Sequence, residues 1–187
     1  MLHRGREEKD RGDRYRSLLI PVAGAVLLFS MAQAGAAAGQ RKRVVLEVPL
    51  TRQPYMQCLV ASVSMVLKYW GCDMTPDAIA QKVPVYKDGT TGRDLVVFIE
   101  AIGFRGFLIQ PPFADLLDHL EKHRPLVITV PERGTTRHAM VLVGFDPADN
   151  TVFLNDPATG ECKSQAVTSF RENWERGGRW TFLIVPK

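Results

Sequence analysis

Between positions 58 and 71 the chain reads CLVASVSMVLKYWG, and apolar or small residues fall nearly all round the helix that this stretch predicts. A helix apolar on every side is stable only inside a domain, so the remaining chain must supply layers that enclose it. Gly71 stops it, and Cys58 opens it. A cysteine in a first helical turn sits among unpaired backbone N–H groups at the positive end of the helix dipole, a setting that suits a nucleophilic sulfur.

The chain has 187 residues, 45% of them hydrophobic and 24% charged, which is enough for one well-cored domain and speaks against disorder. Its first sixteen residues carry six Lys or Arg, followed by a nearly unbroken apolar run over 18–29 and the small residues Ala32, Ala34 and Ala36 to Ala38. That order predicts a secretory signal peptide over 1–38, or an N-terminal signal anchor that leaves the protein attached to a membrane. The apolar run is short for a membrane span. The functional domain is then 39–187, exported to a periplasmic or extracellular space. Those sixteen residues also hold four acids, so half of the formal charge of +4 departs with them. A nearly neutral domain gives no electrostatic case for nucleic acid as a partner. Neither a phosphate-cradling Gly loop nor a CxxC pair occurs, so no cofactor is expected.

Past the signal, the pattern predicts a strand over 43–50 and a loop over 51–57 that Pro54 keeps extended. Helices follow at 58–70, at 75–82 with Thr75 as cap and Pro76 at the first position, at 94–102, and at 114–123. Strands are expected at 104–110, 126–130, 138–145, 151–156 and 179–185, with a short helix at 169–174. Helices early and an antiparallel sheet late make an α+β domain.

His138 introduces the apolar strand HAMVLVGF, and the turn-rich loop 146–150 leads to TVFLND. If Phe145 faces Thr151 across that loop, Asp156 falls opposite Met140. His138 and Asp156 are then diagonal neighbours on one face, within side-chain reach. A one-residue slip would place them on opposite faces. Cys58, His138 and Asp156 are the parts of a cysteine nucleophile system: a thiol, a base for its proton, and a carboxylate that aims the base. Gln53 adds an amide donor for a developing oxyanion beside the Cys58 N–H, with Gln57 as the competing candidate.

In order and spacing, QPYMQC, VSMVLKYWG, HAMVLVGFD, VFLNDPATG and WERGGRW resemble peptidase family thirty-nine of the cysteine class over residues 45–187. These are bacteriocin-processing-type peptidases and their stand-alone relatives, and the resemblance implies a papain-like fold. Carried across, it implies Cys58 as nucleophile, His138 as base, Asp156 as orienter and Gln53 as oxyanion donor, acting on a peptide or protein substrate. The family pattern has Gly directly after the cysteine where this chain has Leu59, which adds bulk beside the nucleophile. No transporter region accompanies the peptidase-like stretch. Two other readings remain open: a transferase that resolves the same thioester with an amine, and a binding module that keeps the cleft without the chemistry.

Cys58, Cys72 and Cys162 are an odd set, so one thiol stays free or pairs outside the chain. Cys58 and Cys72 stand about 20 Å apart at the two ends of the helix, too far to bond. A Cys72–Cys162 bond would leave Cys58 available, and three reduced thiols would do the same. His119 and His123 lie one helical turn apart, but a zinc protease helix needs Glu directly after the first His, and Glu121 is displaced by one. No metal is expected there.

Overall fold

The computed structural model describes residues 41–87, 89–132 and 136–187. The expected signal or anchor over 1–38 lies outside them. Among the described residues no helix is long and apolar enough to cross a membrane.

Helix α1, Cys58–Tyr69, is the enclosed helix that its composition requires. Eight consecutive residues from Val60 to Leu67 are buried, including Ser62 and Ser64, and Ser64 Oγ donates to the Met74 carbonyl at 2.5 Å. Its Val, Met and Leu side chains contribute on the order of 1.5–3 kcal/mol each. Trp70 caps it, and Gly71 takes the left-handed conformation at φ 82° that lets the chain turn away.

α1 packs on a sheet in which every pairing is antiparallel. Its strands are β1 (Val44–Val45), β2 (Phe104–Ile109), β3 (Leu126–Pro131), β4 (Arg137–Asp146), β5 (Thr151–Asp156), β6 (Glu161–Ala166) and β7 (Thr181–Pro186). The spatial order is β2-β7-β3-β4-β5-β6, and β1 pairs β4. Four more helices complete the domain: α2 (Pro76–Ala80), α3 (Gly92–Ala101), α4 (Phe113–Glu121) and α5 (Val167–Arg176). Thr75 and Thr91 cap α2 and α3 with side-chain oxygens. Trp174 and Phe170 of α5 are fully buried and stack, and the Trp174 indole N–H donates to Thr181 Oγ1.

Two expectations are corrected. The strand predicted over 43–50 is only two residues long; beyond it the segment runs alongside the sheet, held by Leu46 N–H on the Val143 carbonyl and by Asn155 Nδ2 on the Val48 carbonyl. The loop before α1 is not extended: the Gln57 N–H donates to the Pro54 carbonyl at 3.2 Å, and Met56 turns the chain at φ 58°. Of the two cysteine arrangements left open by the sequence, the structure has the one with three free thiols. Cys72 follows the C-terminal end of α1, whereas Cys162 lies on β6 opposite Asn155, beside Asp156 at the Cys58 end.

The β4–β5 hairpin departs from expectation and then returns to it. Asp146 accepts Thr151 as partner and Phe145 faces Val152, one residue off the predicted register, because the turn spans only 147–150 and an Asx bond from Ala148 N–H to Asp146 Oδ1 tightens it. A bulge between Leu142 and Gly144 absorbs the difference, so that Leu142 pairs Leu154 and Val141 pairs Asn155. The predicted register is restored just where the site begins. The bulge sits at a glycine for a visible reason: a Cβ on Gly144 would lie 2.4 Å from the Val44 carbonyl oxygen and 2.9 Å from the Val45 Cα. Gly144→Ala should therefore displace β1 and destabilise the domain by about 1–3 kcal/mol, read as a lower denaturant midpoint; an unchanged midpoint would show that β1 is free to move.

Candidate active site

The N-terminus of α1, the first residues of β4 and the end of β5 meet at one cleft of about 510 Å³, whose walls include Gln53, Gln57, Cys58, Leu59, Arg137, His138 and Ala158. Cys58 is the first residue of α1 and is partly buried. Its thiol donates to the Arg137 carbonyl at 3.9 Å, and the sulfur is near enough to the His138 ring to raise that ring's affinity for its proton. His138 Nε2 lies 2.7 Å from Asp156 Oδ1, so the diagonal pairing inferred from the hairpin is present. With Nε2 engaged by the carboxylate, Nδ1 is the nitrogen left for Cys58.

Asp156 is 4% exposed and uses both of its oxygens. Oδ1 accepts from His138 and from the Ala158 N–H at 2.9 Å, and Oδ2 accepts from Lys163 Nζ at 2.7 Å. Burial opposes its charge, but the Lys163 ammonium, the Ala158 N–H and His138 outweigh it and hold the carboxyl below the ordinary range. Burial likewise opposes charge on His138; the hydrogen bonds to Cys58 and Asp156 and the charge of Asp156 prevail, and the imidazole is raised from 6.5 to about 9.

That shift is also a statement about stability. The folded protein binds the His138 proton more tightly than the unfolded chain does. The stabilisation is complete below about pH 6.5 and is lost as pH rises through about 9. Denaturant midpoints should decline across that interval, and a His138→Gln variant should lack this part of the decline; equal declines in both would place its cause elsewhere.

Both candidate glutamines reach the cleft. The Gln53 N–H donates to the Pro157 carbonyl at 2.9 Å, which ties this residue to the turn after Asp156. Gln57 stands at the N-cap position of α1 and makes no side-chain cap. Among the described residues no donor meets the buried Oε1 of Gln53 or of Gln57. Leu59 lines the cleft directly after Cys58, as the sequence departure predicts.

Sequence reasoning missed Lys163. It stands opposite Leu154 on β6, which makes it a diagonal neighbour of Asp156 from the side away from β4. The polar run ECKSQA shows no apolar alternation, and the remaining signal is the DPATG turn that returns the chain antiparallel to β5. His119 and His123 are not among the cleft walls: the first is half-buried on α4 and the second follows that helix at φ 56°. Trp70, Trp174 and Trp180 are not among the cleft walls.

The fold is found in solved peptidase structures. A C39-like peptidase from Bacillus anthracis superposes with a TM-score of 0.67 at 16% identity, covering 78% of this chain and 98% of that one. The peptidase domain of Streptococcus ComA, a bi-functional ABC transporter involved in quorum sensing, gives 0.65 at 20% identity over 75% of this chain and 99% of its own. A double glycine motif protease from an AMS/PCAT transporter, solved with its leader peptide, gives 0.59 at 18% identity over 80% and 96%. No curated protein matches the chain significantly. Residues 45–181 match the model of the Peptidase_C39 like family, to which this chain therefore belongs, as an α+β protein of papain-like fold.

Proposed function

We propose that the protein is an exported cysteine peptidase that hydrolyses a peptide or amide bond through a thioester on Cys58. The observation that supports this most strongly is the 2.7 Å bond between His138 Nε2 and Asp156 Oδ1, which fixes the imidazole while its other nitrogen serves the Cys58 thiol. In this reading the proton that the sulfur gives up is held by His138 Nδ1, whose raised affinity for it suits that task, and Cys58 Sγ attacks the scissile carbonyl. Negative charge develops on the carbonyl oxygen, where the Cys58 backbone N–H and the Gln53 amide can donate. As the tetrahedral species collapses, the C–N bond breaks and His138 returns the proton to the leaving amine. Water then attacks the thioester, with His138 taking one of its protons, and Cys58 is released with a free acid product.

A peptide substrate accords with the structural relative solved with its leader peptide. Leu59 narrows the cleft beside the nucleophile, so the residue bound there should be small. Export, whether by a cleaved signal or an anchor, belongs to this proposal on the strength of the first 38 residues. A thiol-reactive peptidyl electrophile should label Cys58 well ahead of Cys72 and Cys162. Equal labelling of the three would count against the reading, and product analysis with an added amine acceptor separates hydrolysis from transfer.

A further inference from the structure

The carboxylate that orients His138 is itself held from the far side. β5 lies between β4 and β6, and Asp156 has a diagonal neighbour on each: His138 on β4 and Lys163 on β6. The three side chains form one row across the sheet face, with Asp156 bridging imidazole and ammonium at 2.7 Å on each side. An exposed ion pair on a strand edge normally contributes little. This pair is asymmetric: the Lys163 side chain is 44% exposed, while that of Asp156 is 6% exposed. An edge-strand lysine thus brings its charge to a carboxylate that solvent barely reaches.

We propose that Lys163 is a positioning residue that acts through Asp156, occupying Oδ2 so that Oδ1 is presented to His138 and taking up part of the carboxylate's charge. The inference rests on the reading of Cys58, His138 and Asp156 as the reacting group. Its chemical sense follows from what His138 must do twice in each turnover, which is to accept a proton and give it back. An imidazole beside a wholly uncompensated buried carboxylate holds its proton too tightly to return it to a leaving amine, and general acid catalysis works best when the donor titrates near the working pH. Lys163 offsets that excess without breaking the His138–Asp156 bond, because Oδ1 keeps a separate anchor in the Ala158 N–H.

Among the described residues the ion pairs of Asp156 are those with His138 and Lys163; Arg52 lies nearby, against Gly160 in the turn that follows. Cys58 approaches His138 from α1. Arg137, the neighbour of His138 on β4, has its guanidinium on the Gly177 carbonyl. Glu161 stands directly opposite Asp156 on β6 and adds negative charge, and Glu132 lies on the cleft wall.

The test is the titration of the His138 ring followed by NMR in the full chain, with its signal assigned by its loss in His138→Ala. In Lys163→Met, which keeps the apolar stem and removes the charge, the His138 midpoint should rise by about half a pH unit. Lys163→Arg should return it to the original position, since a guanidinium can donate to the same oxygen. Circular dichroism and thermal midpoints of both variants identify any that is unfolded, and Lys163→Gln serves in place of an unfolded Met variant. An unchanged or lowered His138 midpoint in a folded variant would overturn the proposal. This titration needs no turnover, so it is decided independently of whether the protein proves to be a peptidase.

Discussion

Cys58→Ala should lower turnover by about 10⁵-fold or more while leaving the fold intact, because it removes the atom on which the intermediate is built. The side chain is only partly buried and Ala suits the first turn of a helix, so the loss is chemical and not structural. His138→Ala should bring a loss of similar size, and it should also slow alkylation of Cys58 by iodoacetamide, since the ring beside that sulfur holds the proton it gives up. Knocking out both should cost little more than either alone, as residues that act as a unit are strongly non-additive. Stopped assays on purified variants, with circular dichroism as the control for folding, check these outcomes. A Cys58→Ala variant that keeps substantial turnover would remove the nucleophile assignment.

Gln53→Ala should reduce turnover by about 10²–10³, the usual loss for one oxyanion donor. Alkylation of Cys58, which builds no oxyanion, should change little in the same variant. The contrast separates stabilisation of the transition state from any general damage to the cleft. Gln57→Ala is the informative control because its buried Oε1, like that of Gln53, meets no donor among the described residues. Gln53 is favoured by the bond from its N–H to the Pro157 carbonyl, which fixes it against the strand end that carries Asp156. Near-normal turnover in Gln53→Ala together with a large loss in Gln57→Ala would reverse the assignment.

The parts of this site that local chemistry dictates were legible in the sequence. An all-round apolar helix with cysteine at its start has one way to be buried, and α1 runs from Cys58 as that pattern requires. The His138–Asp156 pairing could be inferred from two strands and a turn, although the inference reached the right register by a route the sequence did not reveal. The turn is one residue shorter than expected, and the bulge before Gly144 compensates. That bulge depends on β1 crossing close to Gly144, a long-range contact that no local pattern encodes. β6 was hidden because an edge strand facing solvent needs no apolar face, and Lys163 was hidden with it. The loop over 53–57 was misjudged because Pro54 restricts only its own φ and the residue before it; the turn is made by Met56 and by the bond from Gln57 back to Pro54.

The central claim is that Cys58, held against His138 and Asp156, breaks peptide bonds. Profiling an unbiased peptide library with the full chain, beside its Cys58→Ala form, tests it most directly. Cleavage at a defined set of sites is expected from the native protein, and none above background from the variant. Identical profiles from the two, or no cleavage by the native protein while its Cys58 reacts no faster than Cys72 and Cys162, would contradict it.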